Sequence, residues 1–359
     1  LDKHQILPEK NQRAIMTTVN TVLGEVSSDE LGVVLMHEHL YANNSGWWHC
    51  PSCSKRMHLA EEKVNIGILS DLRMDPFVNK DNLLLNDVDC VIKELIEYRE
   101  LGGSTIVDPT NIGIGRDPEV IKQIAESTGL NIILGSGFYL EPTHPEYVKK
   151  MDEGDISQLI QKEYYEGIEN SDVKIGIIGE IGISKDFTDE ERKVLVGASR
   201  AAAKTGIPLS VHLPGWERLG GQILDVAYEN GCLEGQVILC HMNPSFEDIK
   251  YQIELAERGA WIEYDMIGMD FFYADQDAQC PYDTENANAI KLLVDEGFGH
   301  RILLSQDVFI KMMLKSYGGN GYSYILKYFK ERLIKAGLTS EQFMSIMTIN
   351  PKSCFEFLN

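Results

Sequence analysis

Short apolar runs alternate along the chain with longer stretches in which apolar residues recur every three or four positions. The short runs have the length and composition of buried parallel strands, and the longer stretches have the period of amphipathic helices. The predicted strands are 33–39, 104–110, 131–138, 175–182, 208–214, 237–242, 260–266 and 302–308. The predicted helices are 86–101, 117–128, 155–169, 188–205, 217–230, 246–258 and 284–297, with a further helical segment at 324–359.

This alternation predicts an α/β fold of a particular kind. Eight strands alternating with helices favour a closed (β/α)8 TIM barrel over an open doubly wound sheet. An open dinucleotide-binding sheet would carry Gly-x-Gly-x-x-Gly between its first strand and first helix, and that motif is absent there. A length of 359 residues suits a single barrel domain, 1–359, with loop insertions at 41–85 and 266–283.

Side chains of metal-ligand type stand at the ends of five predicted strands. His37 and His39 close the first strand, where alternation points both toward the same face. Taken alone, this pair fits metal binding and ordinary packing equally well. The other strands supply Glu180, His212, His241 and Asp307. The carboxyl ends of barrel strands converge, and buried carboxylates need compensating charge, so together the six residues predict a site for two divalent cations.

The order of these residues, together with several longer motifs, resembles the amidohydrolase superfamily. Within it, the closest resemblance is to the phosphotriesterase-like family, in the phosphotriesterase-related branch with glutamate as the bridging residue. The motifs are Leu-Met-His-Glu-His-Leu at 35–40, Asp-Asn-Leu-Leu-Leu at 81–85, Asp-Pro-Thr-Asn-Ile-Gly-Ile-Gly-Arg-Asp at 108–117, Gly-Ile-Ile-Gly-Glu-Ile-Gly at 176–182 and Tyr-Gly-Gly-Asn-Gly-Tyr-Ser at 317–323. The resemblance implies a barrel whose metal site lies at the carboxyl ends of the strands.

The resemblance also implies a role for each ligand. His37, His39 and Asp307 hold the more buried of two metal ions, His212 and His241 hold the outer one, and Glu180 bridges them. Phosphotriesterases proper have a carbamylated lysine at the bridging position. Zn²⁺ is the default metal for such ligands, and Mn²⁺, Co²⁺ or Fe²⁺ would also suit them. A metal-bridging hydroxide attacks the substrate, and Asp307 takes the proton as a catalytic residue.

The chain departs from the related branch near the expected substrate. It has His212-Leu-Pro-Gly-Trp216 where that branch has His-Pro-Gly-Arg, and Met-Asn-Pro-Ser after His241 where that branch tends to have Leu-Asp-Arg. Both differences remove positive charge. Trp216, Phe271 and Phe272 are therefore predicted to line an apolar substrate pocket.

Two further residues are candidates for the pocket. Tyr139 is predicted to be catalytic by supporting the electrophilic oxygen, with aromatic packing as the alternative. Arg116, in a Gly-x-Gly-Arg motif, is predicted to bind an anionic part of the substrate, with helix capping as the alternative. Lys311 and Lys315 are predicted to be surface charges rather than phosphate anchors.

The predicted function is hydrolysis of carboxylic esters, including lactones, with promiscuous cleavage of organophosphate or phosphonate esters. An amidohydrolase that cleaves N-acyl amino acids or acylated amines is the alternative. A non-catalytic metal-binding barrel is the alternative of another class.

Composition limits the kinds of binding partner that we expect for this chain. A net charge of −22 without a basic patch argues against nucleic acid and membrane surfaces, leaving a small-molecule ester as the expected partner, with a homodimer left open. Seven scattered cysteines, and an N-terminus 1–10 without an apolar signal segment, predict a cytoplasmic protein. Cys50 and Cys53, with His49 and His58, resemble half of a zinc knuckle, and an aromatic loop near the barrel mouth is the alternative.

Overall fold

The computed structural model describes residues 17–356, and eight parallel strands run through that range, each overlapping one of the predicted strand regions. They are β1 (Val33–Leu35), β2 (Gly103–Asp108), β3 (Asn131–Leu134), β4 (Ile178–Gly182), β5 (Leu209–His212), β6 (Val237–Leu239), β7 (Trp261–Tyr264) and β8 (Ile302–Leu304). The predictions for residues 1–10, and for the last three positions of the helical segment 324–359, lie outside the described residues.

Regular pairing places these strands in two sheets, with the orders β1-β2-β3 and β4-β5-β6-β7-β8. Backbone hydrogen bonds beyond the regular strands join the sheets at both junctions. At the β3–β4 junction, Gly176 N donates to Leu134 O over 3.0 Å. At the β8–β1 junction, Met36 N donates to Leu304 O over 3.4 Å and Asp307 N to His37 O over 3.1 Å. The eight strands thus follow one another around a (β/α)8 barrel.

Helices follow the first seven strands. They are α1 (Val88–Glu100), α2 (Pro118–Thr128), α3 (Glu153–Tyr165), α4 (Asp189–Thr205), α5 (Gly220–Glu229), α6 (Ile249–Glu257) and α7 (Asp283–Asp295). Sequence signals fix several starts: Asp117 caps α2 before Pro118, and Thr188 forms a capping box with Glu191 at α4.

The C-terminal segment is divided rather than continuously helical. It contains a π-helical turn at Ile325–Phe329, then α8 (Lys330–Ala336) and α9 (Ser340–Phe355). The break falls at Gly337, whose φ of 111° is a left-handed conformation open mainly to glycine. Within residues 17–356, no helix is both long enough and apolar enough to cross a membrane.

The barrel interior is apolar below the level of the strand ends. A buried cluster there includes Val34, Met36, Val107, Ile133, Ile177, Ile238 and Leu303, and Phe355 of α9 joins it. An N-terminal hairpin, Thr18–Thr21 with Gly24–Ser27, packs beside β3, where Val22 N donates to Ile132 O. Because this core fills the barrel, polar chemistry is confined to the carboxyl ends of the strands.

Both predicted insertions follow strands at that same end of the barrel. Segment 41–85 contains the short helix Leu69–Met74 and the strand pair Ala42–Asn43 with Leu84–Leu85. Segment 266–283 contains the hairpin Phe272–Tyr273 with Ala278–Gln279. Lys311 was wrongly predicted to be a surface charge: it is 6% exposed, and its Nζ lies 2.9 Å from Asp81 Oδ1 of the first insertion.

Candidate active site

Glu180 lies at the centre of the strand-end cluster, and each of its carboxylate oxygens faces a different pair of histidines. Oε1 is 3.5 Å from His37 Nε2 and 3.3 Å from His39 Nε2. Oε2 is 3.2 Å from His212 Nδ1 and 3.5 Å from His241 Nε2. This is the arrangement a carboxylate needs to bridge two cations.

Asp307 completes the cluster from the end of β8. Its Oδ1 lies 3.4 Å from His39 Nε2 and 3.8 Å from His37 Nε2, and its Oδ2 lies 4.0 Å from His241 Nδ1. The side chain of Asp307 is 11% exposed and that of Glu180 only 3%, so Asp307 is the carboxylate nearer the solvent. The structure thus brings together all six residues predicted as metal ligands.

The cluster fits divalent cations on its own geometry. Three overlapping groups drawn from these six residues have ligand atoms within 4.8 Å of one another: His37-His39-Glu180, Glu180-His212-His241 and His37-His241-Asp307. His37 Nε2 is buried and has no hydrogen-bond partner within residues 17–356. A buried polar atom without a partner is costly, and a metal ion satisfies an imidazole nitrogen of this kind.

Residues behind the cluster hold the outer nitrogens of three histidines. Thr110 Oγ1 is 2.7 Å from His39 Nδ1, Asp265 Oδ1 is 3.0 Å from His241 Nδ1, and Glu263 Oε2 is 3.4 Å from His37 Nδ1. A proton held at Nδ1 leaves Nε2 as the ligand atom. Sequence reasoning missed these partners, although two carboxylates in the apolar stretch Trp261-Ile-Glu-Tyr-Asp265 were a visible signal.

The backbone around the cluster is unusual at three positions. His241 and Asp307 have positive φ values of 56° and 49°, which cost energy for residues other than glycine. Gly179, before Glu180, has a φ of 116°, and a Cβ there would lie 2.2 Å from Ser210 O. The close approach of β4 to β5 that positions Glu180 therefore requires a glycine.

Glu38, between the two strand-end histidines, faces away from the cluster. Its Oε1 accepts hydrogen bonds from Ser305 Oγ at 2.7 Å and Gln306 N at 2.8 Å, and its Oε2 accepts one from Val308 N at 2.9 Å. Glu38 thereby fixes the end of β8, and Asp307 with it, against β1.

The buried carboxylates and imidazoles of the cluster shift one another's pKa values. Burial alone would lower the pKa of His39, but hydrogen bonds that His39 donates to Asp307 and Glu180 raise it to about 9. Burial also opposes protonation of His241, and Asp265 with Glu180 reverses this and raises the pKa to about 10. Burial opposes ionisation of Glu180, yet His37 and the other imidazoles hold its pKa well below the usual range. Metal ions would supply the charge that protons supply without them.

A cavity of about 660 Å³ opens above the cluster. Tyr139 and Trp216 line it, and Tyr139 Oη is 3.2 Å from His212 Nδ1. The structure does not bring the other predicted substrate residues to this cavity. Phe271 lines a separate cavity of about 470 Å³, and Phe272 lines neither of the two.

Arg116 also lies apart from the cavity. Its guanidinium donates to both oxygens of Glu163, at 2.8 and 2.7 Å, and to Gly135 O at 2.9 Å. The arginine is therefore committed to a buried ion pair, and an anionic substrate group has no access to its donors through this cavity.

The cysteine loop does not gather ligands. Among residues 17–356, no group of three ligand-type side chains with mutually close atoms includes Cys50 or Cys53. His49 Nε2 instead lies 2.8 Å from Asp75 Oδ1, and Trp47 of the same loop lines the cavity. These contacts favour the aromatic loop over the zinc knuckle.

The family model described as "Phosphotriesterase family" matches residues 17–355. The chain belongs to the phosphotriesterase family. It is 33% identical over 342 residues to the N-acetyltaurine hydrolase of Danio rerio, covering 94% of this chain and 98% of that protein. Identity to the phosphotriesterase-related protein of Nematostella vectensis is also 33%, with the same coverage.

Solved structures agree with the family. A resiniferatoxin-binding protein from Rhodobacter sphaeroides is 50% identical, with a TM-score of 0.94 over 94% of this chain and 95% of that one. A lactonase from Listeria monocytogenes has a TM-score of 0.78 over 96% and 100% of the two chains, and at 24% identity it shows the fold alone. The predicted family, TIM-barrel fold and hydrolase class are confirmed. The family is metal-dependent, and the buried cluster is compatible with a metal site.

Proposed function

We propose that this phosphotriesterase-family hydrolase cleaves carboxylic esters, including lactones, at a centre of two divalent cations, with Zn²⁺ as the metal. The placement of Glu180 between two histidine pairs carries the proposal, because it supports two cations sharing one carboxylate. Organophosphate and phosphonate esters are proposed as side substrates, since in-line attack on phosphorus uses the same groups.

Different residues of the site serve different steps of ester cleavage. Divalent cations bound here would lower the pKa of a water molecule and polarise the scissile carbonyl. Asp307, the more exposed of the two carboxylates, accepts the proton of the attacking water and returns it to the leaving oxygen. Tyr139, on the cavity wall beside His212, donates a hydrogen bond to the oxygen on which negative charge develops.

The cavity lining supports an ester with apolar groups. Large aromatic side chains form much of the wall, and Lys185 is the one lysine or arginine among the residues lining the described cavity. An anionic substrate would find little to balance its charge. The lining thus agrees with the sequence differences at Trp216 and after His241, both of which lack a basic residue near the expected substrate.

A second candidate is cleavage of acylated amines. Relatives 33% identical over nearly the whole chain are named N-acetyltaurine hydrolases, which favours amide cleavage. Taurine derivatives carry a sulfonate, however, and this cavity offers such an anion one exposed lysine. Esters therefore remain the first candidate.

A substrate panel tests the proposal. Metal-loaded protein is given para-nitrophenyl esters, γ- and δ-lactones, and N-acetylated amines that include N-acetyltaurine. We expect kcat/KM to be highest for an ester or a lactone. Preference for an N-acetylated amine would replace the proposal with the second candidate, and no turnover of any compound by protein of verified metal content would contradict both.

A further inference from the structure

Aromatic side chains form a continuous arc around the cavity above the metal centre. Ring centroids are 5.8 Å apart between Trp216 and Tyr273, 5.3 Å between Tyr273 and Phe77, and 5.4 Å between Phe77 and Trp47. Tyr139 continues the arc 6.2 Å from Trp47. All five line the cavity and come from loops after four different strands, so the fold assembles the arc at the metal centre.

Carboxylates without partners line the same cavity. They are Glu141, Asp186, Glu217 and Asp275. Within residues 17–356, none of their side chains accepts a hydrogen bond or forms an ion pair. The other carboxylates of the lining have partners: Glu180 and Asp307 belong to the cluster, and the oxygens of Glu191 accept bonds from Ser184 and Thr188 and serve to cap a helix.

Two of these carboxylates adjoin the arc in sequence. Glu217 follows Trp216 directly, and Asp275 lies two residues after Tyr273 in the turn of the 266–283 hairpin. Besides the four acids, the cavity lining contains one exposed lysine, Lys185. The side chains lining the cavity therefore carry a net negative charge, which is part of the −22 of the whole chain.

Aromatic faces and unpaired carboxylates attract the same kind of group. The face of an aromatic ring is electron-rich and binds ammonium ions, most strongly those whose alkyl groups also bury apolar surface. Acids of one sign around a concave site focus a potential that draws cations in and repels anions. An uncharged substrate would gain from the rings alone, whereas a cationic one would gain from both the rings and the acidic lining.

We propose that the preferred substrates are carboxylic esters that carry a quaternary or protonated alkylammonium group, bound by the aromatic arc and the unpaired carboxylates. This inference rests on the proposed ester hydrolysis and names its substrate class. It also separates this chain from relatives named for N-acetyltaurine, whose substrate is an anion.

Three esters with the same acyl group test the proposal on metal-loaded protein. The first is a choline ester, the second is its isostere with carbon in place of the ammonium nitrogen, and the third has a carboxylate of similar size there. At low ionic strength we expect kcat/KM for the choline ester to exceed that of its isostere about tenfold, and the anionic ester to be the poorest. Added salt lowers the cationic preference.

Variants that each remove one negative charge test which carboxylates produce the preference for the cationic ester. Glu217→Gln and Asp275→Asn should each lower the ratio of kcat/KM between the choline ester and its isostere about two- to fivefold. Glu229→Gln is the matched control, because it removes the same charge at the end of α5, on the far face of the barrel. The control should leave the ratio unchanged.

Direct binding separates failure of this inference from failure of the proposed function. Choline and its uncharged carbon isostere are titrated into the metal-loaded protein by calorimetry, and we expect tighter binding of choline. If no ester is cleaved, the proposed function fails, and this titration still decides whether the cavity prefers an alkylammonium group. Equal kcat/KM for choline ester and isostere, or equal binding of the two alcohols, would overturn the inference.

Discussion

Asp307 combines three properties that the other carboxylate of the centre lacks. Its side chain is more exposed than that of Glu180, its backbone has a positive φ of 49°, and its amide donates to His37 O across the β8–β1 junction. A ligand held by its own backbone in this way keeps a fixed orientation while its side chain faces the substrate. Those properties suit a group that moves a proton.

Asp307→Asn should lower kcat roughly a thousandfold for a para-nitrophenyl ester, because the amide cannot accept the proton of the attacking water. Most bound metal should remain, since His37, His39 and Glu180 are unchanged. Steady-state kinetics and elemental analysis on the same sample measure both. Asp277→Asn is the control: it makes the same change at a φ of 50°, outside the cavity lining. Activity near that of wild type in Asp307→Asn would contradict the proposed role.

Asp265 acts on the centre through histidine. Its carboxylate accepts from His241 N at 2.9 Å and lies 3.0 Å from His241 Nδ1 and 3.4 Å from His37 Nδ1. Asp265→Asn should weaken metal affinity about 10- to 100-fold, the usual effect of losing such a partner. Competition with a chromophoric chelator gives the affinity. An unchanged affinity for both ions would show that Asp265 has no positioning role.

At the scale of elements, insertion 41–85 supplies Trp47 and Phe77 to the aromatic arc and is tied to the barrel through Asp81. Lys311 Nζ lies 2.9 Å and Lys63 Nζ 2.6 Å from Asp81 Oδ1, and Val64 N donates to Asp81 Oδ2. Lys63 is largely exposed, whereas Lys311 is buried. Lys311 is therefore the fixed end of this connection.

Lys311→Met should lower the free energy of unfolding by about 1–3 kcal/mol, because Asp81 loses its buried partner. Urea denaturation of the metal-loaded protein measures the change. Lys315→Met is the matched control: Lys315 pairs with Glu97 at a more exposed position, so its loss should cost less than about 1 kcal/mol. Equal losses of unfolding free energy in the two variants would mean that the buried ion pair stabilises the fold no more than the exposed pair does.

The elements show why sequence predicted some features and missed others. All eight strands were recognised because buried parallel strands form unbroken apolar runs. Their predicted ends were too long: 302–308 contains β8 at Ile302–Leu304, and 237–242 contains β6 at Val237–Leu239. Beyond those ends the backbone turns to positive φ at Asp307 and His241, which ends regular pairing and aims the ligands.

Long-range partners account for what the sequence could not provide. Arg116 stands in a glycine-rich motif typical of anion binding, yet its partner is Glu163, 47 positions away. The aromatic arc likewise joins residues from four loops, and nothing local marks Trp47 or Phe77 as neighbours of Trp216. Side chains of metal-ligand type can be recognised in the sequence at the end of a predicted strand. Contacts between side chains of separate loops can be seen only in the folded chain.

For the whole molecule, metal occupancy should be linked to stability. Two buried carboxylates face four imidazoles at one end of the barrel, so cations that bind only the folded state stabilise it by mass action. We expect about two divalent ions per chain by elemental analysis, and a Tm that falls by more than about 5 °C on chelation and recovers with Zn²⁺. Glu180→Ala should lose most of this response. A Tm unaffected by chelation of wild-type protein would contradict the linkage.

Closure of the barrel between β8 and β1 also determines when the proposed metal site can form during synthesis of the chain. The bond from Val308 N to Glu38 joins residues 270 positions apart, and the neighbouring bond from Asp307 N to His37 O joins two of the proposed metal ligands. On the ribosome, the two histidines of β1 therefore emerge long before their last partner. A nascent chain that ends before β8 carries five of the six ligands without Asp307. Retention of metal by ribosome-bound chains of increasing length would thus rise steeply only once β8 has left the exit tunnel.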